Sequence, residues 1–202
     1  MLEKLAKQTA VYGISTIAVR FLSYLLTPVF TRVLEPEAYG IVTDVYALIP
    51  FALVVLTMGL ESAYFRFAAK ADAAAAAAGG TEGEIAARAR AGKRRLFATA
   101  WGVTLLAASL FFLLTAFGRE RVAEWMGEAY VAHPEYVLLV AAVVWFDVAA
   151  CLPFSRLREQ GRAMTFVGIK ALGVVVNVAL AIGFALAGLY GTPFGVGWVF
   201  VA

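Results

Sequence analysis

The chain has 202 residues, of which 62% are hydrophobic and only 15% charged, against about 25% charged in an ordinary soluble domain. That is too little charge to coat a globule of this size, and the mean hydropathy of +0.82 argues against a soluble fold. The net charge of +3 is explained by membrane topology rather than by a nucleic-acid surface, and nucleic acid is not expected as a partner.

In chain order, apolar runs occupy residues 10–30, 40–65, 96–117, 136–154 and 164–186, and a sixth begins near 194 and stops at 202. A hydrocarbon core of roughly 30 Å needs about 18 or more such residues to cross it as a helix. A bilayer offers no partner to an unpaired backbone amide, and the runs lack the alternation of barrel strands. The expected fold class is therefore an all-α integral membrane protein, with five transmembrane helices and the start of a sixth. Lys4 and Lys7 precede the first run, which is too long for a signal-peptide core and is followed by no small-residue cleavage site. It is read as span one.

The connections give an orientation. Of the seventeen basic residues, twelve fall on one side: in the N-terminal arm, in the loop after span two, and in the loop after span four, with Arg156, Arg158 and Arg162. The other side has Arg32, Arg119 and Arg121, and Arg20 and Lys170 lie within spans. Cytoplasmic loops are enriched in Lys and Arg, so the N-terminus is expected in the cytoplasm. The external loops are short and acidic, with Glu35-Pro36-Glu37 after span one and 118–135 after span three. Trp125 and Tyr130 point to part of the latter resting on the membrane interface. Residues 68–93 are read as a cytoplasmic insertion loop. Its Ala-rich part, 68–80, is expected to be poorly ordered, because a short isolated helix is marginal. The stretch 84–95 is expected to lie along the membrane surface, its arginines meeting anionic lipid.

Ionisable residues at bilayer depth cost roughly 2.5–3.5 kcal/mol on insertion scales, and they mark cavities or pairs. Arg20 lies near the middle of span one, on a small and polar face with Gly13, Thr16, Thr27 and Thr31. It is either a cavity-lining cation for an anionic substrate or a structural arginine. Asp147 lies near the middle of span four, where it either pairs with Arg20 or carries a coupling ion. Glu61 and Arg66 stand near the inner end of span two, as a gate or a structural ion pair. Glu61 is satisfied by Arg66 or by the arginines after span four. Lys170 snorkels by default, and Asn177 shares its face. Cys151 is read as a buried inert thiol. With His133 the sole histidine, no metal site, catalytic residue or cofactor is expected.

The pairs Tyr12-Gly13, Arg20-Phe21, Thr31-Arg32 and Tyr39-Gly40, with Leu26-Thr27-Pro28 and Gly59-Leu60-Glu61-Ser62-Ala63, resemble the N-terminus of bacterial polysaccharide and O-antigen flippases. These belong to the multidrug/oligosaccharidyl-lipid/polysaccharide exporter superfamily. The resemblance is strong over residues 5–67. From 94 to 202 it rests on span order and the RLREQGRA stretch after span four. It implies the N-terminal lobe, residues 1–202, of a two-lobed transporter. Such a protein moves an undecaprenyl-diphosphate-linked oligosaccharide across the inner membrane by alternating access, alongside polysaccharide polymerase or glycosyltransferase machinery. The partners implied are that lipid-linked oligosaccharide and membrane lipids.

Arg20 best matches the cavity residues thought to meet the charged headgroup, with Thr16, Thr27, Asp147 and Asn177 as further cavity candidates. The second lobe of the family is missing, so the chain is expected to be a truncated product, a gene fragment or an excerpt of a longer protein. The alternatives are a drug or cation exporter of the same superfamily, a membrane-embedded glycan polymerase or ligase, and a structural membrane subunit. A cation exporter would call for an acidic cavity, and a glycan enzyme for a large external loop.

Overall fold

A computed structural model of the chain describes residues 36–186, together with Gly13 and Ile17. The expected span one, apart from those two residues, and the start of span six lie outside the described residues. Among the described residues there is no strand. Four helical stretches, Thr43–Ala77, Glu82–Phe117, Glu135–Glu159 and Ala163–Leu180, are long and apolar enough to cross a membrane. They correspond to spans two to five of the sequence reading.

Span two is two helices rather than one. α1 (Pro36–Thr57) starts on a proline, which suits a first helical position because its missing amide has no intrahelical role there. It stops where Met58 (φ 46°) and Gly59 (φ 69°) both turn left-handed. Glycine takes that conformation without penalty, while a residue with a Cβ is strained by roughly 1–2 kcal/mol. α2 (Leu60–Ala77) then starts with Gly59 as its N-cap. A Cβ at Gly59 would meet nothing within 4 Å, so a substitution there acts through the backbone alone. Gly59→Ala is expected to cost about 1–2 kcal/mol. Thermal unfolding of the purified protein in detergent checks this, and an unchanged melting temperature would refute it.

The Ala-rich segment is helical, which corrects the expectation of a poorly ordered insertion. α2 runs through it to Ala77, and its buried face is Tyr64, Ala68 and Ala75. That face packs on α3 (Glu82–Phe117). Alanine is the best helix former, and its short side chain lets two helices approach. A Cβ built at Gly92 of α3 would lie 3.4 Å from the Cβ of Ala71. The turn between them uses Gly79 (φ 67°) and Gly80 (φ 113°), and a capping box closes it. The Thr81 hydroxyl accepts from the Glu84 amide, and the Glu84 carboxylate accepts from the Thr81 amide at 3.0 Å. Arg88 adds a bond from Nη1 to the Gly79 carbonyl at 2.7 Å. Because α3 is continuous over 36 residues, or about 54 Å, residues 84–95 extend the span axis. They do not form a separate surface helix.

After Gly118 come α4 (Arg119–Met126) and α5 (Glu128–Ala132). Trp125 is 79% exposed. Tyr130 instead points inward and is buried, its hydroxyl donating to the Ile41 carbonyl of α1 at 3.4 Å. Burial and the Asp44 carboxylate push its phenol up to about 12.

α6 (Glu135–Glu159) is the central helix and packs against α1, α2, α3 and α7 (Ala163–Leu186). Its buried stripe is Val137, Val140, Val144, Val148 and Leu152, the three-and-four spacing of one helical face. Pro153 sits inside it and has no amide to give the Ala149 carbonyl four residues back. The indole Nε1 of Trp101, on α3, donates to that carbonyl at 2.9 Å. A second indole, Trp145, donates to Ser109 Oγ at 3.1 Å. The link to α7 is a turn at Gly161 (φ 68°), where the Arg162 amide reaches the Leu157 carbonyl at 3.0 Å. That six-to-one bond marks a glycine-ended helix terminus.

Candidate functional site

α6 carries a polar stripe beside its apolar one. Asp147, Cys151, Ser155 and Arg158 stand at steps of four, four and three residues, so all four share one face. The stripe runs from the middle of the helix, about 18 Å from its start, to its basic last turn. Two neighbouring helices add ionisable groups to it: α2 contributes Glu61 and α7 contributes Lys170.

The lower half is a connected network. Arg158 Nη2 is ion-paired with Glu61 Oε1 and also donates to Ser155 Oγ at 3.2 Å. Ser155 in turn donates to the Cys151 carbonyl at 2.9 Å. The Cys151 thiol donates to the second Glu61 oxygen at 3.7 Å. The Arg158 guanidinium lies over two rings, Phe65 of α2 at 5.6 Å and Phe166 of α7 at 5.9 Å. One arginine thus joins three helices. Two of its interactions are charge-assisted, the stronger kind of hydrogen bond.

The upper half holds Asp147, which is exposed at the bundle surface with Lys170 as its electrostatic neighbour. Lys170 Nζ lies over the Phe154 ring at 4.5 Å. At this depth a carboxylate faces a watery cavity or another part of the protein in preference to lipid.

Glu61 is paired with an arginine after span four, one of the two partners considered for it. Arg66 is not that partner. It is exposed and, five residues on, lies about 140° around the helix from Glu61 at 3.6 residues per turn. The sequence gives no sign of the Cys151–Glu61 contact or of the electrostatic influence of Lys170 on Asp147. The stripe itself had a signal, the 147, 151, 155, 158 spacing. Arg20, Thr16 and Thr27 lie outside the described residues. Asn177 falls within α7, with its side chain outside what is described. No cluster of metal-ligating side chains occurs among the described residues.

A second tie closes the basic end of the bundle. Lys93 Nζ of α3 bonds Asp72 of α2 and Glu159 of α6, each at 2.7 Å. Here again one cation holds three helices.

The sequence matches the family described as polysaccharide biosynthesis protein over residues 5–196. No curated protein and no solved structure matches it. The family match covers nearly the whole chain and all four helices of membrane-spanning length. The chain therefore belongs to the polysaccharide biosynthesis protein family, as a membrane protein of several spans.

Proposed function

We propose that the chain acts in a flippase that moves an undecaprenyl-diphosphate-linked oligosaccharide from the inner to the outer leaflet of a bacterial inner membrane. The mechanism is alternating access, the N-terminus is cytoplasmic, and the role is transport rather than catalysis. The observation that carries this reading is the family membership of a chain whose central membrane helix bears an ionisable stripe. Such residues are expensive in lipid and belong to pathways and gates. Arg20, Thr16, Thr27, Asp147 and Asn177 are the residues assigned to the cavity, with Arg20 meeting the anionic headgroup. The Glu61–Arg158 pair is assigned to a gate at the cytoplasmic end, replacing Glu61 with Arg66 in that role. Membrane lipids, and a polysaccharide polymerase or glycosyltransferases, are the partners this reading implies.

A second reading, export of an organic cation, draws on Asp147. The positive charge of Lys170, which acts on Asp147 electrostatically, argues against a cation site there. The test is a deletion of the gene in its host. Lipid-linked oligosaccharide is expected to accumulate on the cytoplasmic leaflet while surface polysaccharide disappears. Normal surface polysaccharide, or a loss without precursor build-up, would count against flipping.

A further inference from the structure

Five basic side chains surround one groove at the end of the bundle opposite α4. Arg90, Lys93 and Arg94 come from α3, Arg156 from the last turn of α6, and Arg162 from the turn into α7, and the groove they line is about 580 Å3. Ligand pockets fall in a range of about 300–1,000 Å3. Glu159 is the acid in the lining, and it is already engaged by Lys93, which also holds Asp72.

The arginines keep donors for an anion. The Arg156 guanidinium lies over the Phe97 ring at 4.5 Å, a cation–π contact that uses none of its N–H donors on an acceptor atom. Arg90 uses Nε on the Ala86 carbonyl at 3.2 Å, and its two terminal nitrogens carry further donors. Arg94 and Arg162 are exposed. Arg90 and Arg94 also line an adjoining groove of about 510 Å3 with Arg95, so the positive field extends beyond one pocket. Like charges held this close repel, and a multivalent anion relieves that repulsion. A lone carboxylate would leave most of the excess uncompensated. Phosphate oxygens fit the guanidinium fork in bidentate fashion and bring more charge.

We propose that this groove is an anion site for a phosphate or diphosphate ester group. That chemistry is shared by an anionic phospholipid headgroup and a polyprenyl diphosphate. With a bilayer headgroup as occupant the site goes beyond the transport reading; with a polyprenyl diphosphate as occupant it rests on that reading.

The test uses the full chain purified in a neutral detergent and titrated with inorganic diphosphate. Three forms are compared: the wild type, Arg94→Gln with Arg162→Gln, and Arg94→Lys with Arg162→Lys. Both positions are exposed, and melting temperatures confirm that the variants fold. The glutamine pair is expected to weaken binding about tenfold to a hundredfold, the loss of one or two charge-assisted contacts. The lysine pair should lose less, and rising salt should weaken wild-type binding. Competition then identifies the source. Displacement by phosphatidylglycerol as strong as by undecaprenyl diphosphate supports the site with a bilayer headgroup as occupant. Displacement by undecaprenyl diphosphate alone supports it with the diphosphate as occupant. No binding to the wild type, or equal binding by the glutamine pair, overturns the proposal. The readout is binding, so it fails or succeeds separately from any export assay.

Discussion

Glu61→Ala is expected to destabilise the protein by about 2 kcal/mol, whereas Glu61→Ala combined with Arg158→Leu recovers most of that loss. In the single variant the Arg158 guanidinium keeps Ser155 Oγ at 3.2 Å and its two ring contacts but loses its carboxylate. Breaking a fully buried pair from one side costs roughly 3–5 kcal/mol, and replacing both partners by apolar groups is close to neutral. Here the side chains are 35% and 37% exposed, which lowers the figure. Thermal unfolding in detergent over the double-mutant cycle measures the coupling. If the double variant falls as far as the two single losses added together, the two residues do not act as a unit. The same variants bear on the gate: export should drop in Glu61→Ala more than its stability loss explains.

Trp101→Phe is expected to cost about 2 kcal/mol, through a carbonyl rather than through packing. Phenylalanine preserves the ring stack on Phe97, whose centroid lies 5.8 Å away, but it has no donor for the Ala149 carbonyl. The bond is part-buried; an acceptor left unsatisfied away from water costs roughly 1–3 kcal/mol, and at membrane depth no water replaces the donor. Pro153→Ala supplies the missing amide from within α6 itself. In that background Trp101→Phe should cost under about 0.5 kcal/mol, because the helix then satisfies its own carbonyl. An equal cost in both backgrounds would show that the indole acts by volume and not by its bond.

The apolar runs predict spans two to five because length and hydropathy alone decide membrane crossing. What they cannot predict is how a span is divided. Met58 carries no sign of its left-handed turn, and the break at Met58–Gly59 is absent from the hydropathy pattern. The Ala-rich stretch departs from expectation for a different reason. As an isolated peptide a short helix of this kind is marginal. The stretch is in fact the continuation of a span, held by tertiary contacts at Tyr64, Ala68 and Ala75. The helix start after it was legible all along, since Thr81-x-x-Glu84 is a capping-box pattern.

For the candidate site, helical geometry alone disfavours Arg66 as the partner of Glu61. Which of the later arginines serves depends on how α6 and α2 are rotated against each other. The same holds for the electrostatic influence of Lys170 on Asp147, which depends on the packing of α7 on α6.

α3 has a mechanical consequence. It is an unbroken 36-residue rod, with its apolar half in the membrane-crossing bundle and its basic half carrying the hairpin to α2. Such a rod is a lever arm. A tilt of about 10° around its far end displaces the hairpin tip by about 9 Å, from a length of 1.5 Å per residue. Spectroscopic labels at the glycine turn would therefore magnify rearrangements too small to see among the helices themselves.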